Sequence, residues 1–458
     1  MSANSLPTNV AVTHDLTQFI ARCRWEEVPA HVRHEAKRAL LNYFSVALAA
    51  CYDPTIEKAS RVYRRFSAGT ESTVIGRGQR MDMLNAAALN AMSANVFDFD
   101  DTHIPTIIHP TAPVAPAVFA LAETMRIAGP DFLLGFILGV ETECRLGNAI
   151  SPGHYARGWH ITSTCGVFGS AMASGKLLRL TPGQLTWALG TTSSQAGGLV
   201  ETLGTMSKSV GMGNAARNGL LSAFLAQQDF DGPARPLEGV RGFLNVTADR
   251  PDFEAIVSGL GSRWEILNNT YKPYPCGVVL NPVIEACLAL SARPELAGGG
   301  LDRIERIELV GHSLLRQRTD RPAISTGRES QVSAQHAVAV SLARGRAGLA
   351  EFSDAAVRNP ELRALGSKVC FVDDDSLAVE AARVTLTLQG AAPLTVAVDV
   401  ARGASAKPLT DQDLEEKLRV LCRDGGSGCN PARLIDAVWS LDTAEDAGAI
   451  MRLAAGRG

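Results

Sequence analysis

The spacing of apolar residues changes near residue 270, and no other feature of the chain constrains its fold more. Before that point, in stretches such as 32–48, apolar residues recur every three or four positions, which predicts amphipathic helices. After it, the stretches 384–388 and 394–400 alternate apolar and polar residues, which predicts two strands joined by a turn. The chain therefore combines a helical part with a part that contains a sheet.

The same patterns place further elements along the chain and indicate the domain limits. Helices are predicted at 113–128, 131–149, 165–179 and 214–227, then at 332–345 and 353–366, and again at 411–420 and 431–453, with a further strand at 303–310. We therefore predict a mainly α fold, with a large all-helical domain (residues 1–270 and 404–458) and a smaller α+β domain (residues 271–403).

Length and composition limit the classes of protein to which the chain can belong. At 458 residues it exceeds the size that one hydrophobic core usually serves, which agrees with two domains. A net charge of −3 gives no electrostatic reason to expect binding to nucleic acid or to a membrane. Residues 1–13 lack a secretory signal pattern, and nine cysteines without a CxxC pair favour reduced thiols. We expect a cytoplasmic protein without zinc.

The segment 95–112 is the strongest chemical signal in the sequence. It carries three aspartates and two histidines on a stretch that two prolines keep from being one helix: Asp98, Asp100, Asp101, His103 and His109, with Pro105 and Pro110. Imidazoles titrate near neutral pH and burial tunes carboxylates, so such a loop suits proton transfer. A hard-cation site and a purely structural loop with capping aspartates are the alternatives.

Three more candidates stand at predicted element boundaries. His160 precedes a helix predicted to begin near Thr164. Lys208 lies in a glycine-bearing stretch that predicts a loop ahead of a helix, where a cation and backbone N–H groups would suit a carboxylate. Lys272 lies in a double-proline turn at the predicted domain boundary. Each has an ordinary alternative, because a lone histidine is often structural and a lone lysine is usually solvated.

Other catalytic signatures are absent from the sequence. It has no Gly-x-Ser-x-Gly elbow, no phosphate-binding P-loop and no GxGxxG after a strand. Cys165 and Cys276 have no sequence context that predicts an activated thiolate. These absences argue against a nucleophilic mechanism and against a dinucleotide-binding fold.

Taken together, the motifs resemble those of the MmgE/PrpD family over nearly the whole chain. The segments that carry the resemblance are Asp98–His103 with His109-Pro110, Gly158-Trp159-His160, Ser207-Lys208-Ser209 with 213–219, 236–243, and 272–276. The resemblance implies a large helical domain with a smaller α+β lid, a homodimer, and no metal or organic cofactor. It also implies a small di- or tricarboxylate as substrate.

The resemblance also implies roles for particular residues. The positions that match the family's polar pocket are Asp98, His109, His160, Lys208 and Lys272, which we predict to be catalytic. Lys208 and Lys272 would hold substrate carboxylates, and a histidine oriented by Asp98 would move the proton, although a lysine base stays open. Substrate binding is further predicted for Asp101, His103, Tyr274, Asn281 and His336.

Three positions depart from the family pattern. Gly211 and Asn281 stand where many relatives have histidine, and His336 stands where relatives often have tyrosine. Because Asn281 can hydrogen-bond but cannot shuttle a proton, the specific reaction stays open. We expect a cofactor-independent acid–base lyase, first of all a hydro-lyase of the 2-methylcitrate dehydratase kind. An iminodisuccinate-type epimerase, a cis-aconitate-type decarboxylase and a non-catalytic carboxylate binder are the alternatives, in that order.

Overall fold

The chain folds into two compact units in the computed structural model, which describes residues 11–457. The first unit comprises residues 11–96, 100–269 and 410–457, and the second comprises 97–99 and 270–409. The fold class predicted from the sequence, mainly α with a smaller sheet-containing part, is confirmed. The predicted domain limits at 270 and 404 stay predictions.

The first unit is built from helices and three short strands. In chain order its first part contains α1 (Val12–Arg22), α2 (Ala30–Ala49), α3 (Pro54–Tyr63), β1 (Ser72–Val74), β2 (Gln79–Met81), α4 (Met83–Asn95), β3 (Asp101–His103), α5 (Thr111–Ala122), α6 (Gly129–Ile150), α7 (Gly153–Ala156), α8 (Ile161–Leu177), α9 (Pro182–Ser193), α10 (Ser207–Gln227), α11 (Phe243–Thr247) and α12 (Phe253–Val257). Helices α4, α5, α6, α8 and α10 form its centre, where nearly every α5 and α8 side chain is buried. Because small residues line these helices, their backbones approach closely.

The chain passes into the second unit through β4 (Asn269–Tyr271). There follow α13 (Asn281–Ser291), β5 (Ile304–Gly311), α14 (Ser313–Thr319), α15 (Gly327–Ser330), α16 (Ala334–Arg344), α17 (Asp354–Arg358), α18 (Pro360–Gly366), β6 (Val369–Asp373), β7 (Ala382–Leu388) and β8 (Leu394–Val398). The sheet order is β6-β5-β7-β8, with β6 parallel to β5 and the other neighbours antiparallel. Helices α13 and α16 pack together in its core.

The last part of the chain returns to the first unit as α19 (Asp411–Asp424), α20 (Pro431–Trp439) and α21 (Ile450–Leu453). Leu414, Leu418 and Leu421 bury one face of α19, which packs on α2. Lys417 Nζ donates to Asn42 Oδ1 at 2.8 Å. The apolar stripe of α19 thus finds its partner more than 350 residues earlier in the chain.

Two predictions in the second unit need correction. The helix predicted at 353–366 is two helices, because Asn359 caps α18 through Leu362 N–H (3.0 Å) and Pro360 cannot continue α17. The strand β6 was missed, because it is a short edge strand whose side chains are only partly buried and show no clean alternation. The hairpin of β7 and β8 is confirmed, with Val384 opposite Val396.

No helix between residues 11 and 457 is long and apolar enough to cross a membrane.

Candidate active site

The N-termini of three helices meet in the first unit. Helices α8 and α10 run in the same direction, since Gly211 lies against Ser163 near both starts and Gly219 lies against Ser170 two turns later. Helix α5 runs the same way along α8, since His109 N–H donates to Thr162 Oγ1 (3.2 Å) and Ser170 Oγ donates to Pro113 O (3.0 Å). Helix N-termini carry partial positive charge and unpaired N–H groups, so this end of the bundle suits an anion.

His109 lies two residues before the start of α5 and has a defined tautomer. Its Nδ1 is 2.8 Å from the carbonyl oxygen of Asp101 and 3.2 Å from Asp100 Oδ1. A carbonyl oxygen only accepts hydrogen bonds, so Nδ1 carries the proton and Nε2 carries the lone pair. The residue is 9% exposed. His109 is therefore held as a base with a carboxylate beside it.

His160 is the residue before the first turn of α8, which begins at Ile161 rather than near Thr164 as predicted. Its Nδ1 is 2.6 Å from Ser163 Oγ, and its backbone N–H donates to Gly198 O (3.0 Å). Gly198 has φ +133°, and a β-carbon there would overlap Ser163, so only glycine fits this close approach. A hydroxyl both donates and accepts, so His160 can hold its proton on either nitrogen.

Lys208 lies in the first turn of α10, because that helix begins at Ser207 and includes Gly211 and Gly213. The loop predicted for this stretch was wrong: the small residues pack α10 against α8 and α4 instead of forming a turn. The side chain of Lys208 is half-buried. A lysine at a helix N-terminus adds a full positive charge to that of the helix dipole, which favours a carboxylate.

Asp100 and Asp101 are both buried, and Asp101 bonds the first residue of α5. Asp100 Oδ2 accepts from Asn95 Nδ2 (2.7 Å), and Asp101 Oδ2 accepts from Thr111 Oγ1 and from Asn269 Nδ2 (2.6 Å). Burial, together with the charge of Asp100, raises the pKa of Asp101 to about 6. Asp101 therefore titrates near neutral pH while its position stays tied to the start of α5.

His103, predicted to bind substrate, has both ring nitrogens bonded inside the first unit. Nδ1 is 2.7 Å from Thr106 Oγ1 and Nε2 is 3.2 Å from Glu265 Oε2. Burial works in the opposite direction, but the hydrogen bond and attraction of His103 lower the pKa of Glu265 to about 2. Because neither nitrogen is left for a substrate and the ring is fully buried, we withdraw His103 from the substrate-binding residues.

In the second unit, Lys272 and Asp98 form an ion pair. Lys272 Nζ donates to Asp98 Oδ2 (2.9 Å) and to the Asp98 carbonyl oxygen (2.7 Å). Asp98 adopts φ +51°, a left-handed conformation that aspartate tolerates better than most residues. Gln331 Nε2 donates to Phe97 O (2.8 Å). The side chains of Lys272 and Gln331 thus hold residues 97–99, which belong to the second unit although their neighbours in the chain belong to the first.

The remaining predicted residues lie in the same unit. Burial, and then the charge of Glu285, raises the pKa of Tyr274 to about 12, so its phenol stays a hydrogen-bond donor. Asn281 is the first residue of α13 and is 6% exposed. His336 Nε2 is 2.8 Å from the carbonyl oxygen of Glu351, and burial lowers the pKa of His336. Its other nitrogen is then an acceptor, which cannot bond an ionised carboxylate, so substrate binding by His336 stays a prediction for donor groups only.

Cysteine chemistry gains no support from the geometry. Burial raises the pKa of Cys165, and it raises the pKa of Cys276 to about 12, so both stay thiols at neutral pH. Asp100 Oδ1 lies 3.2 Å from His109 Nδ1, and that nitrogen carries a proton, so it cannot bind a metal ion in this state. The expectation of no metal stays a prediction.

Several residues of this arrangement were not predicted from the sequence. Ser163, Thr162 and Thr111 each bond a predicted residue, and Asn95 and Asn269 bond the buried aspartates. Ser163 could have been found, because it follows His160 by three residues at a helix start, where side chains meet. The asparagines carry no such signal.

Comparisons with known proteins agree with this picture. The family models described as MmgE/PrpD N-terminal domain and MmgE/PrpD C-terminal domain match residues 14–256 and 274–443. The chain is 29% identical over 483 residues to cis-aconitate decarboxylase of Aspergillus terreus, covering 99% of this chain and 98% of the relative. Cis-aconitate decarboxylases of Mus musculus (28% over 472 residues, 97% and 94% covered) and Homo sapiens (28% over 461 residues, 97% and 95% covered) are also similar.

Proposed function

The chain belongs to the MmgE/PrpD family, and on that premise we propose that it is a cofactor-independent lyase that acts on a small tricarboxylate by acid–base chemistry. The observation that carries the proposal is the meeting of three helix N-termini with two imidazoles and a lysine. Three carboxylates bring three negative charges, and this end of the bundle supplies positive potential and N–H donors. A cytoplasmic location and a homodimer belong to the proposal as expectations.

The hydrogen bonds support different roles for the two histidines. His109 has its proton held on Nδ1 by a carbonyl oxygen, so Nε2 can take a proton from carbon. Asp100 Oδ1, 3.2 Å away, stabilises the imidazolium that forms. His160, paired with a hydroxyl, can give up a proton and change tautomer as Ser163 rotates. We therefore propose His160 as the acid that delivers the proton to carbon in a decarboxylation, and His109 as the base wherever the reaction removes a proton from carbon, as a dehydration does.

Lys208 is proposed to bind a substrate carboxylate and to stabilise the negative charge that develops on it. Proton removal or loss of carbon dioxide next to a carboxylate leaves an electron pair that spreads onto its oxygens. A fixed cation near those oxygens stabilises the transition state more than the ground state. Asp98, Lys272, Tyr274 and Asn281 keep their predicted roles as proposals, since the resemblance alone assigns them.

Among lyase reactions, decarboxylation of cis-aconitate or a close analogue is the first proposal. It is supported by relatives with that name, which align over nearly their whole length. The chemistry requires a carboxylate to leave as carbon dioxide while a proton is delivered to carbon, which an imidazole can do. This order differs from the expectation from sequence, which placed a hydro-lyase first.

Water elimination of the 2-methylcitrate dehydratase kind is the second candidate, and Asp101 favours it. A leaving hydroxyl must be protonated, and Asp101, with a pKa of about 6 caused by burial and the charge of Asp100, can hold such a proton. The bonds from Thr111 and Asn269 to Asp101 restrict its movement, so this candidate stands behind decarboxylation. An iminodisuccinate-type epimerase and a non-catalytic binder remain alternatives for the test.

Proton NMR of the purified protein in D₂O separates the candidates. The panel contains cis-aconitate, 2-methylcitrate, citrate and the iminodisuccinate stereoisomers, each also incubated with the His160→Gln variant. We expect cis-aconitate to give an unsaturated five-carbon dicarboxylate and carbon dioxide. An alkene formed from 2-methylcitrate instead would establish the hydro-lyase, and deuterium exchange with a changed diastereomer ratio would establish the epimerase. No turnover, with a ligand-induced rise in melting temperature, would leave a binding protein.

A further inference from the structure

Glu143 is a carboxyl group inside the helical core to which the proposed mechanism gives no role. It lies in the middle of α6 and is fully buried. Neither of its carboxyl oxygens has a hydrogen-bond partner within residues 11–457. A buried carboxylate with neither a donor nor a cation beside it is among the costliest groups a core can contain.

The surroundings of Glu143 are apolar or acidic. Helix α8 presents Gly166 and Gly169, and a β-carbon at either position would be about 3.1 Å from atoms of the Glu143 side chain. The titratable groups that face Glu143 are Asp101 on β3, Cys165 on α8 and its neighbour Cys144 on α6. Burial, and then the charge of Asp101, raises the pKa of Glu143 well above its ordinary range.

The neighbourhood of Asp101 also has more acceptors than donors. Asp101 Oδ2 accepts two hydrogen bonds. Asp101 Oδ1, Asn95 Oδ1 and Asn269 Oδ1 are buried and accept none from the described residues. A proton on Glu143 removes one buried charge and converts one acceptor into a donor. Because Asp101 receives donors and Glu143 receives none, the proton belongs on Glu143.

We propose that Glu143 is a neutral carboxylic acid in the folded protein and acts as a positioning residue, so that the buried pair of Glu143 and Asp101 carries one negative charge, on Asp101. The carbonyl oxygen of Asp101 accepts a hydrogen bond from His109 Nδ1, and the Asp101 carboxylate interacts electrostatically with His109, so that charge lies near the proposed base. The part of this inference that concerns His109 rests on the proposed function; the protonation of Glu143 does not.

The raised pKa of Glu143 makes the stability of the folded protein depend on pH. In the unfolded chain Glu143 loses its proton at ordinary acidic pH, whereas in the folded protein it keeps the proton to much higher pH. Folding near neutral pH therefore takes up a proton, and the stability of the wild type falls as the pH rises above the unfolded value. Glu143→Gln removes this penalty, so its advantage in melting temperature should grow from pH 5 to pH 8.

Infrared difference spectra of the full chain test the protonation directly. Glu143→Gln should lose the carbonyl stretch of a protonated carboxyl at pH 7, and Glu254→Gln, at an exposed helix position, should not. An unchanged carboxylic acid band, or a melting-temperature difference that does not vary with pH, would overturn the proposal. Both measurements need no substrate, so they stand even if the proposed reaction is wrong.

The positioning role is tested by the pH dependence of kcat/KM. Glu143→Leu replaces the neutral carboxylic acid with an apolar group, which destabilises ionised Asp101, so the midpoint at which Asp101 ionises should move to higher pH. Glu143→Gln keeps a neutral donor and should restore the wild-type midpoint. If the midpoints of the kcat/KM profile were equal in the wild type and in Glu143→Leu, Glu143 would only fill space in the core. If Glu143→Leu does not fold, Glu143→Gln takes its place as the test. In that case, a midpoint of kcat/KM in Glu143→Gln that differs from the wild-type midpoint would overturn the positioning role of Glu143.

Discussion

Gly211 of α10 lies against Ser163 of α8 so closely that a methyl group at position 211 would overlap the Ser163 hydroxyl. That hydroxyl is the partner of His160 Nδ1 at 2.6 Å. Position 211 is thus occupied by a residue whose small size lets two helix N-termini approach. A larger side chain must move Ser163, and with it the imidazole.

Gly211→Ala tests this relationship. We expect kcat to fall by on the order of tenfold to a hundredfold, because small displacements of a catalytic group cost that much. Gly183→Ala is the matched control: it also lies in a helix, where the nearest atom to an added β-carbon is 3.9 Å away, and it should be neutral or stabilising by up to about 1 kcal/mol. Equal kinetics in both variants would refute the link between Gly211 and His160.

His160→Gln should mainly lower turnover. Glutamine keeps a hydrogen-bonding group near Ser163 but cannot exchange a proton, and general acid–base catalysis contributes about 10²- to 10⁴-fold. Steady-state kinetics of the variant should therefore show a reduced kcat with a nearly constant KM. The exposed His14 provides the control, His14→Gln. Near-normal turnover in His160→Gln would remove this residue from the mechanism.

Lys208→Ala should weaken substrate binding and, because the lysine also stabilises the charge of the transition state, lower kcat as well. Hydrogen bonds to charged groups contribute about 1.5–3 kcal/mol, so KM should rise by roughly 10- to 100-fold. Titration calorimetry with an unreactive tricarboxylate measures the same loss without turnover. Lys58→Ala removes an exposed lysine of the same unit and should leave affinity unchanged. If the variant bound the tricarboxylate as tightly as the wild type, the helix N-termini would be sufficient for carboxylate binding without the lysine.

Glu265→Gln should make the protein less stable at pH 7 but not at pH 2. The pKa of Glu265 lies at about 2, below the ordinary 4.5, because the bonds and charge of His103 outweigh burial. A lowered carboxyl pKa stabilises the fold above the unfolded value, and that stability is lost as the pH falls through the folded value. We expect a difference of about 2 kcal/mol at neutral pH. Denaturant unfolding across pH 2–7 would contradict this if the gap to wild type stayed constant.

A double-mutant cycle on Asp98→Asn and Lys272→Met should give a coupling free energy of about 1–3 kcal/mol, because the side chain of Lys272 is 4% exposed. The exposed pair of Lys407 and Glu285 in the same unit, with 49% and 26% exposure, is the control and should couple by less than about 1 kcal/mol. Thermal unfolding of the six variants measures both. Equal coupling in the two pairs would mean that burial does not strengthen the first.

Sequence patterns predicted the elements well where their cause was local. The period of α2 and the alternation of β7 and β8 depend on residues a few positions apart, and these elements are confirmed. The glycines of α10 led to a wrong prediction, because the effect of a glycine depends on the helix that lies opposite. Taken alone, the stretch around Lys208 predicts a loop, but it is helical and packs against α8.

The sequence by itself determined the fold class, through hydrophobic period, and the family, through motifs that are contiguous in the chain. Only the tertiary structure decided that His109, His160 and Lys208 lie at helix starts that meet, that a carbonyl oxygen sets the tautomer of His109, and that His103 and His336 bond protein atoms. It also decided that the Glu143 carboxyl oxygens have no hydrogen-bond partner among residues 11–457. The physical reason is that these properties come from contacts between segments tens of residues apart, which no local pattern encodes.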